Sequence, residues 1–279
     1  MAVAVGDNAA RNAAVLFRHQ HLGGLEAGLY ILGGAPGFGK TTVAFHIASG
    51  IAAQCPVLYV TFENSPANLT MKALAARARV NLKDIRRGLV EPSVIARAAN
   101  EWREASQQFA FITGNAKLTI AQVRGRALEL MNRHQAKQCL IVVDYLQMAA
   151  KHSAELRGLG TIREKVEAFG AQLRTELAVP LNSPVLAISS LNRAAGDYGD
   201  GNGNGNGNGK PRLDSLKESG DLEYQADVVM FLAESQQHPV SPVRAVTLTI
   251  KKNRNGEVGA PVELIFRPDI ATIRERGDD

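Results

Sequence analysis

The chain has 279 residues, 45% of them apolar and 21% charged, with a formal net charge of +5. At roughly 150 residues per domain this is one large domain or two small ones, and the apolar fraction excludes global disorder. The basic excess suits a polyanionic partner without requiring one; no apolar run approaches the ~20 residues of a membrane helix, and the start of the chain resembles no signal peptide, so a cytoplasmic protein with no membrane partner is expected.

Leu29–Leu32 is an apolar run between glycines, read as a buried strand. A glycine-rich turn follows, then a helical stretch from Thr42 to Ala48 and a second strand at 57–62. Residues 66–79 and 91–107 read as surface-lying helices, and Phe109–Ile112 as a strand. Thr119 is placed to cap a helix reaching His134. Leu140–Asp144 is the clearest strand, followed by a helix over about 160–178 and a strand at 184–189. Cys55 and Cys139 each open a buried strand and are read as reduced core residues, not as a disulfide or metal framework.

Strands alternating with helices, several of them apolar throughout, predict an α/β fold with a mostly parallel central sheet and helices on both faces. After about residue 226 the pattern becomes β-rich: 228–232, 243–251, 262–266 and 271–274, with Asn255-Gly256 at a turn. An antiparallel C-terminal extension of the same sheet is expected, within one domain. The alternating Gly/Asn run 201–209 has no side chain able to join a core, and 196–212 reads as a mobile loop. It is either a tolerated insertion or a lengthened functional loop.

Gly34-Ala35-Pro36-Gly37-Phe38-Gly39-Lys40-Thr41 fits the phosphate-loop pattern G-x-x-x-x-G-K-[ST] between a strand and a helix, the context the motif requires. Its glycines let backbone N–H groups turn inward, and the helix start, with Thr42 next in line, adds partial positive charge. Lys40 is expected on the β- and γ-phosphates of ATP and Thr41 on Mg²⁺, with Asp144 at the end of its strand as the second Mg²⁺-organising group. Ligands in an open parallel sheet lie beyond the carboxyl ends of the strands. Glu63, just past the 57–62 strand, can therefore converge on the same site and orient and deprotonate a water. A zinc site at His19 and His21 is rejected for want of partners at metal spacing. The eight Lys/Arg of 72–103, among them Lys72 and Arg77, read as a solvated helical surface.

Further strings follow in order: Gly24-Leu25-Glu26-Ala27-Gly28, Thr61-Phe62-Glu63, Val143-Asp144-Tyr145-Leu146-Gln147, Ser190-Leu191-Asn192-Arg193, Leu216 to Gly220, Gln225-Ala226-Asp227 and Lys252-Asn253-Arg254-Asn255-Gly256. Over about residues 20–275 this series resembles the C-terminal RecA-like motor domain of DnaB-type replicative helicases. The resemblance implies a RecA-like P-loop ATPase over 20–279 that binds ATP between neighbours in a homo-oligomeric ring of six. It implies movement 5′ to 3′ along single-stranded DNA in replication, and a helicase loader or primase as partner. It implies that Arg254, with Lys252 beside it, reaches in trans to a neighbour's γ-phosphate. It also implies pore loops on DNA: one after Gln147 with Lys151, His152 and Arg157, the other after Asn192 with Arg193, Lys210 and Arg212. Three departures stand out. Ser190 occupies a γ-phosphate-sensing position where the family has Gln, Lys217 replaces Arg, and the helical N-terminal collar domain of the family is not expected within these residues. Residues 1–19 are read as an N-terminal segment, with 7–19 as a linker-helix remnant. A second reading, motivated by Ser190 and the collar, is a DNA-stimulated RecA-fold clamp, loader or switch that unwinds nothing. A small-molecule kinase is the weakest alternative.

Overall fold

The computed structural model describes residues 24–190, 220–235 and 241–277. The N-terminal segment 1–19 and the Gly/Asn loop 196–212 lie outside the described residues, so neither expectation is addressed by the structure.

Nine strands form one sheet among the described residues, in the order β3-β2-β4-β5-β1-β6-β7-β8-β9. The strands are β1 (Gly28–Gly34), β2 (Val57–Thr61), β3 (Phe109–Thr113), β4 (Leu140–Asp144), β5 (Pro184–Ser190), β6 (Val228–Glu234), β7 (Arg244–Asn253), β8 (Val262–Arg267) and β9 (Thr272–Glu275). Every residue of β1, β2 and β4 is buried, the result of covering a strand on both faces. Alternate residues serve opposite faces. Leu32, Tyr59, Val142 and Leu186 pack under the helix α1 (Lys40–Ile51), whose Phe45 contacts Tyr59, Trp102, Phe109 and Phe111. Ile31, Val60, Val143 and Ala187 pack with α5 (Ile120–Arg133) and α7 (Ile162–Gln172) on the other side.

The expected α/β architecture is present. β1 to β6 run parallel and β7 to β9 antiparallel. One detail differs. The antiparallel extension begins at β7, since β6 pairs parallel with β1. The Thr119 cap is as expected and closes a full capping box with Gln122. α2 (Pro66–Ala78) and α4 (Pro92–Ala105) match the surface-lying helices. Short helices α3 (Leu82–Arg87), α6 (Leu146–His152) and α8 (Gly220–Gln225) add to the expected elements, and the last turns of the 160–178 helix, Leu173–Ala178, are π-helical. Cys55 and Cys139 are free and buried, as expected. No described helix is long and apolar enough to cross a membrane.

Candidate functional site: the phosphate cradle and the opposite sheet edge

The loop Gly34–Thr41 joins β1 to α1 and lies beyond the carboxyl end of the parallel strands. Gly37 (φ 88°) and Gly39 (φ 89°) hold left-handed conformations that side chains resist. A Cβ at Gly39 would also come within 3.1 Å of the Phe266 ring on β8. Arg244, at the start of β7, donates to the Gly37 carbonyl at 3.1 Å. Inside the loop, Lys40 Nζ donates to the carbonyls of Gly34 (2.7 Å) and Ala35 (2.9 Å). Burial brings the Lys40 ammonium down to about 8, while the Asp144 and Glu63 carboxylates oppose that shift.

Asp144 closes β4 and is only 1% exposed. Its Oδ1 accepts from the Thr41 hydroxyl at 3.3 Å and its Oδ2 from the Tyr59 hydroxyl at 2.9 Å. Burial raises its carboxyl above the usual range, and these two hydrogen bonds pull it back. Thr41 and Asp144 thus converge a hydroxyl and a carboxylate, hard oxygen donors of the kind Mg²⁺ takes. The residues fit that ion and the triphosphate it accompanies. Glu63 is exposed in the bend after β2, near enough for its charge to act on Lys40, Asp144 and Tyr145. Thr42 is buried behind Thr41 at the helix start. Ser190 ends β5, where its N–H donates to Gln147 Oε1 and its carbonyl accepts from Gln147 Nε2. The Asp-Tyr-Leu-Gln string therefore ties β4 to the end of β5.

Two expectations are corrected. Lys72 is half-buried on α2, where burial lowers its ammonium while the Asp144 and Glu63 carboxylates raise it, so it belongs to the field of this site. Arg77, likewise not simply solvated, lies 4.8 Å over the Trp102 ring. The segment after Gln147 continues as the helix α6 to His152 and only then becomes a loop; Lys151 is exposed in the last turn of the helix and Arg157 is exposed in the loop beyond it. Arg193, Lys210, Arg212 and Lys217 lie outside the described residues.

Lys252 and Arg254 sit elsewhere. β7 is antiparallel, so its end pairs with the start of β6, Asn253 opposite Val228, and β6 lies beside β1. The pair is therefore at the amino edge of the parallel strands, opposite the cradle. β1 is seven residues long, and at about 3.3 Å per residue its two ends lie ~20 Å apart. Neither cation can serve the cradle of its own chain.

A cradle, a carboxylate at the end of β4 and a basic pair at the far edge are accompanied by sequence similarity along nearly the whole chain. Residues 18–275 match the family model described as DnaB-like helicase C terminal domain. The chain belongs to that family. It is 31% identical over 266 residues to the replicative DNA helicase DnaB of Haemophilus influenzae, covering 90% of this chain and 53% of that protein. With the DnaB of Mycobacterium intracellulare it shares 34% over 199 residues, 70% of this chain and 32% of that protein. The DnaB of Buchnera aphidicola is 29% identical over 243 residues, 85% of this chain and 49% of that protein. The chain thus spans about half or less of these curated relatives. In fold it is similar to a solved structure of a DnaB-like replicative helicase and its interactions with primase (TM-score 0.79, 19% identity, 94% of this chain and 61% of that one). It is equally similar to a second solved structure, of an ATPase domain (TM-score 0.79, 19% identity, 95% of this chain and 90% of that one).

Proposed function

We propose that this chain is the motor of a ring-forming DNA helicase of the replicative type, hydrolysing ATP at contacts between copies to move 5′ to 3′ along single-stranded DNA. The observation that carries this reading is the separation of the two halves of the site. The cradle lies beyond the carboxyl ends of the parallel strands and Lys252 with Arg254 at their amino ends, so the site is complete only when a second copy adjoins.

In this reading the backbone of Gly34–Gly39 and Lys40 bind the triphosphate, with Thr42 and Ser190 at its flanks. Thr41 and Asp144 would hold Mg²⁺, which would supply positive charge to offset that of the phosphates. Glu63 orients a water and accepts its proton as the water oxygen bonds to the γ-phosphorus. The bond to the bridging oxygen breaks, releasing ADP and inorganic phosphate. Arg254 and Lys252 of the adjoining copy stabilise the charge that spreads over the γ-oxygens. Lys151 and Arg157, with Arg193, Lys210 and Arg212, track DNA phosphates without reading sequence. A six-membered ring and a helicase loader or primase complete the assembly.

The test is ATP hydrolysis with and without single-stranded DNA, alongside strand displacement on a forked duplex. Stimulation and displacement are both expected. Stimulation without displacement would replace the motor by a clamp or switch. Lys40→Ala should abolish turnover. Arg254→Ala should lower turnover by about 10³-fold or more while largely sparing nucleotide binding; intact hydrolysis in that variant overturns the shared site.

A further inference from the structure

Arg254 follows the end of a strand, where a long side chain swings freely unless something holds it. Here it is held twice. Its Nη1 pairs with Asp227 Oδ1 at 3.1 Å, and its Nη2 donates to the Tyr224 carbonyl at 2.9 Å. The backbone is tied as well, the Arg254 N–H donating to the Asp227 carbonyl at 2.8 Å. Lys252 reaches the same helix end, donating to the carbonyls of Glu223 (2.7 Å) and Tyr224 (3.3 Å). Carbonyls at a helix carboxyl end attract cations.

Asp227 is itself anchored. It is buried between α8 and β6. Its Oδ2 accepts from the Leu29 N–H on β1 at 2.9 Å, and Arg174 grips both oxygens, Nη2 to Oδ1 at 2.9 Å and Nε to Oδ2 at 3.3 Å. Gly28 leaves it room, since a Cβ there would come within 2.8 Å of Oδ2. The pairing of β6 with β7 also slips by one residue here, from Val229–Lys252 to Met230–Ile250. Such a bulge re-aims the strand end that follows. The Arg254 side chain stays 43% exposed despite its two ties.

We propose that Asp227 is the positioning residue of the Arg254 finger: with the Tyr224 carbonyl it clamps the guanidinium in one orientation at the sheet edge, ready for the γ-phosphate held by an adjoining copy. This rests on the shared-site reading above. The benefit is preorganisation, because a guanidinium already oriented loses little freedom when the phosphate arrives. Arg174 holds the carboxylate in turn.

The test uses the full chain at saturating ATP and single-stranded DNA. Asp227→Asn is expected to lower kcat by roughly 10- to 10²-fold, the size of a misplacement effect, with KM for ATP little changed, because the chain's own cradle is untouched. The decisive measurement mixes copies. Lys40→Ala has a dead cradle but a sound finger. Adding it to Asp227→Asn, or to Arg254→Ala as the control, should restore turnover in the cradles that face a sound finger. If Arg254→Ala is restored and Asp227→Asn is not, Asp227 acts within its own chain and the proposal is overturned, as it is if Asp227→Asn turns over normally. If Arg254→Ala is not restored, the shared site itself fails and the positioning role falls with it. Should Asp227→Asn not fold, Arg174→Gln disturbs the same carboxylate from a partly exposed position. A smaller defect, restored by Lys40→Ala, is then expected, and unchanged turnover overturns the proposal.

Discussion

Asp144 concentrates the cost of the cradle in one side chain. A buried carboxylate is tolerated only with donors on its oxygens, and here Tyr59 and Thr41 supply one each. Tyr59 is fully buried beneath it. Tyr59→Phe keeps the ring packing and removes one donor, so it should destabilise the protein by about 1.5–3 kcal/mol, the usual range for a hydrogen bond to a charged group, as measured by urea unfolding. Unchanged stability would mean that Asp144 does not depend on this hydroxyl. At this scale the phosphate loop, Asp144 and Glu63 were legible in the chain as a string of residue types at fixed spacing. Lys72 was not, because nothing in a basic helix says which of its turns faces a carboxylate.

Elements were legible in proportion to how local their signals are. Thr119 and Gln122 close a capping box within four residues, so the start of α5 could be read directly. α6 carries no such side-chain cap, and its seven residues pack Leu146, Ala149 and Ala150 inward, leaving too short a pattern to read. The turn between β8 and β9 shows a local device with a measurable consequence. Arg267 grips Asp269 through Nε (2.9 Å) and Nη2 (2.7 Å), which holds the Asp269 carboxyl below its usual range, while the Asp269 carbonyl accepts from Leu82 on α3. A carboxyl lowered on folding contributes stability that is present above its unfolded range and is lost as pH falls through the lower folded value. Solvent screening keeps the contribution under about 1 kcal/mol. Asp269→Asn should therefore lower the thermal midpoint slightly at pH 7, and by progressively less as pH falls below the ordinary carboxylate range; a difference that does not shrink with acid would rule the ion pair out as the cause.

On the scale of the whole molecule, sheet order does the functional work. Putting β7 antiparallel carries Arg244 to the cradle and Lys252 to the amino ends of the parallel strands, so one strand runs from the cradle to the basic pair. Under the proposed function, hydrolysis depends on contact between copies. Specific ATPase activity should rise with protein concentration and fall on dilution in step with dissociation followed by light scattering. Full activity in a monomeric sample would end the shared-site reading.

The phosphate loop and the buried strands could be read without coordinates because each is a property of neighbouring residues: glycine conformational freedom, helix-start polarity, continuous apolar runs. The clamp of Asp227 on Arg254, the tie of Arg244 to Gly37 and the placing of Lys72 near Asp144 join segments far apart in the chain. They depend on which strand lies beside which and in what direction it runs. That is settled by burial of the two sheet faces together, a balance over the whole core to which no single stretch of residues points.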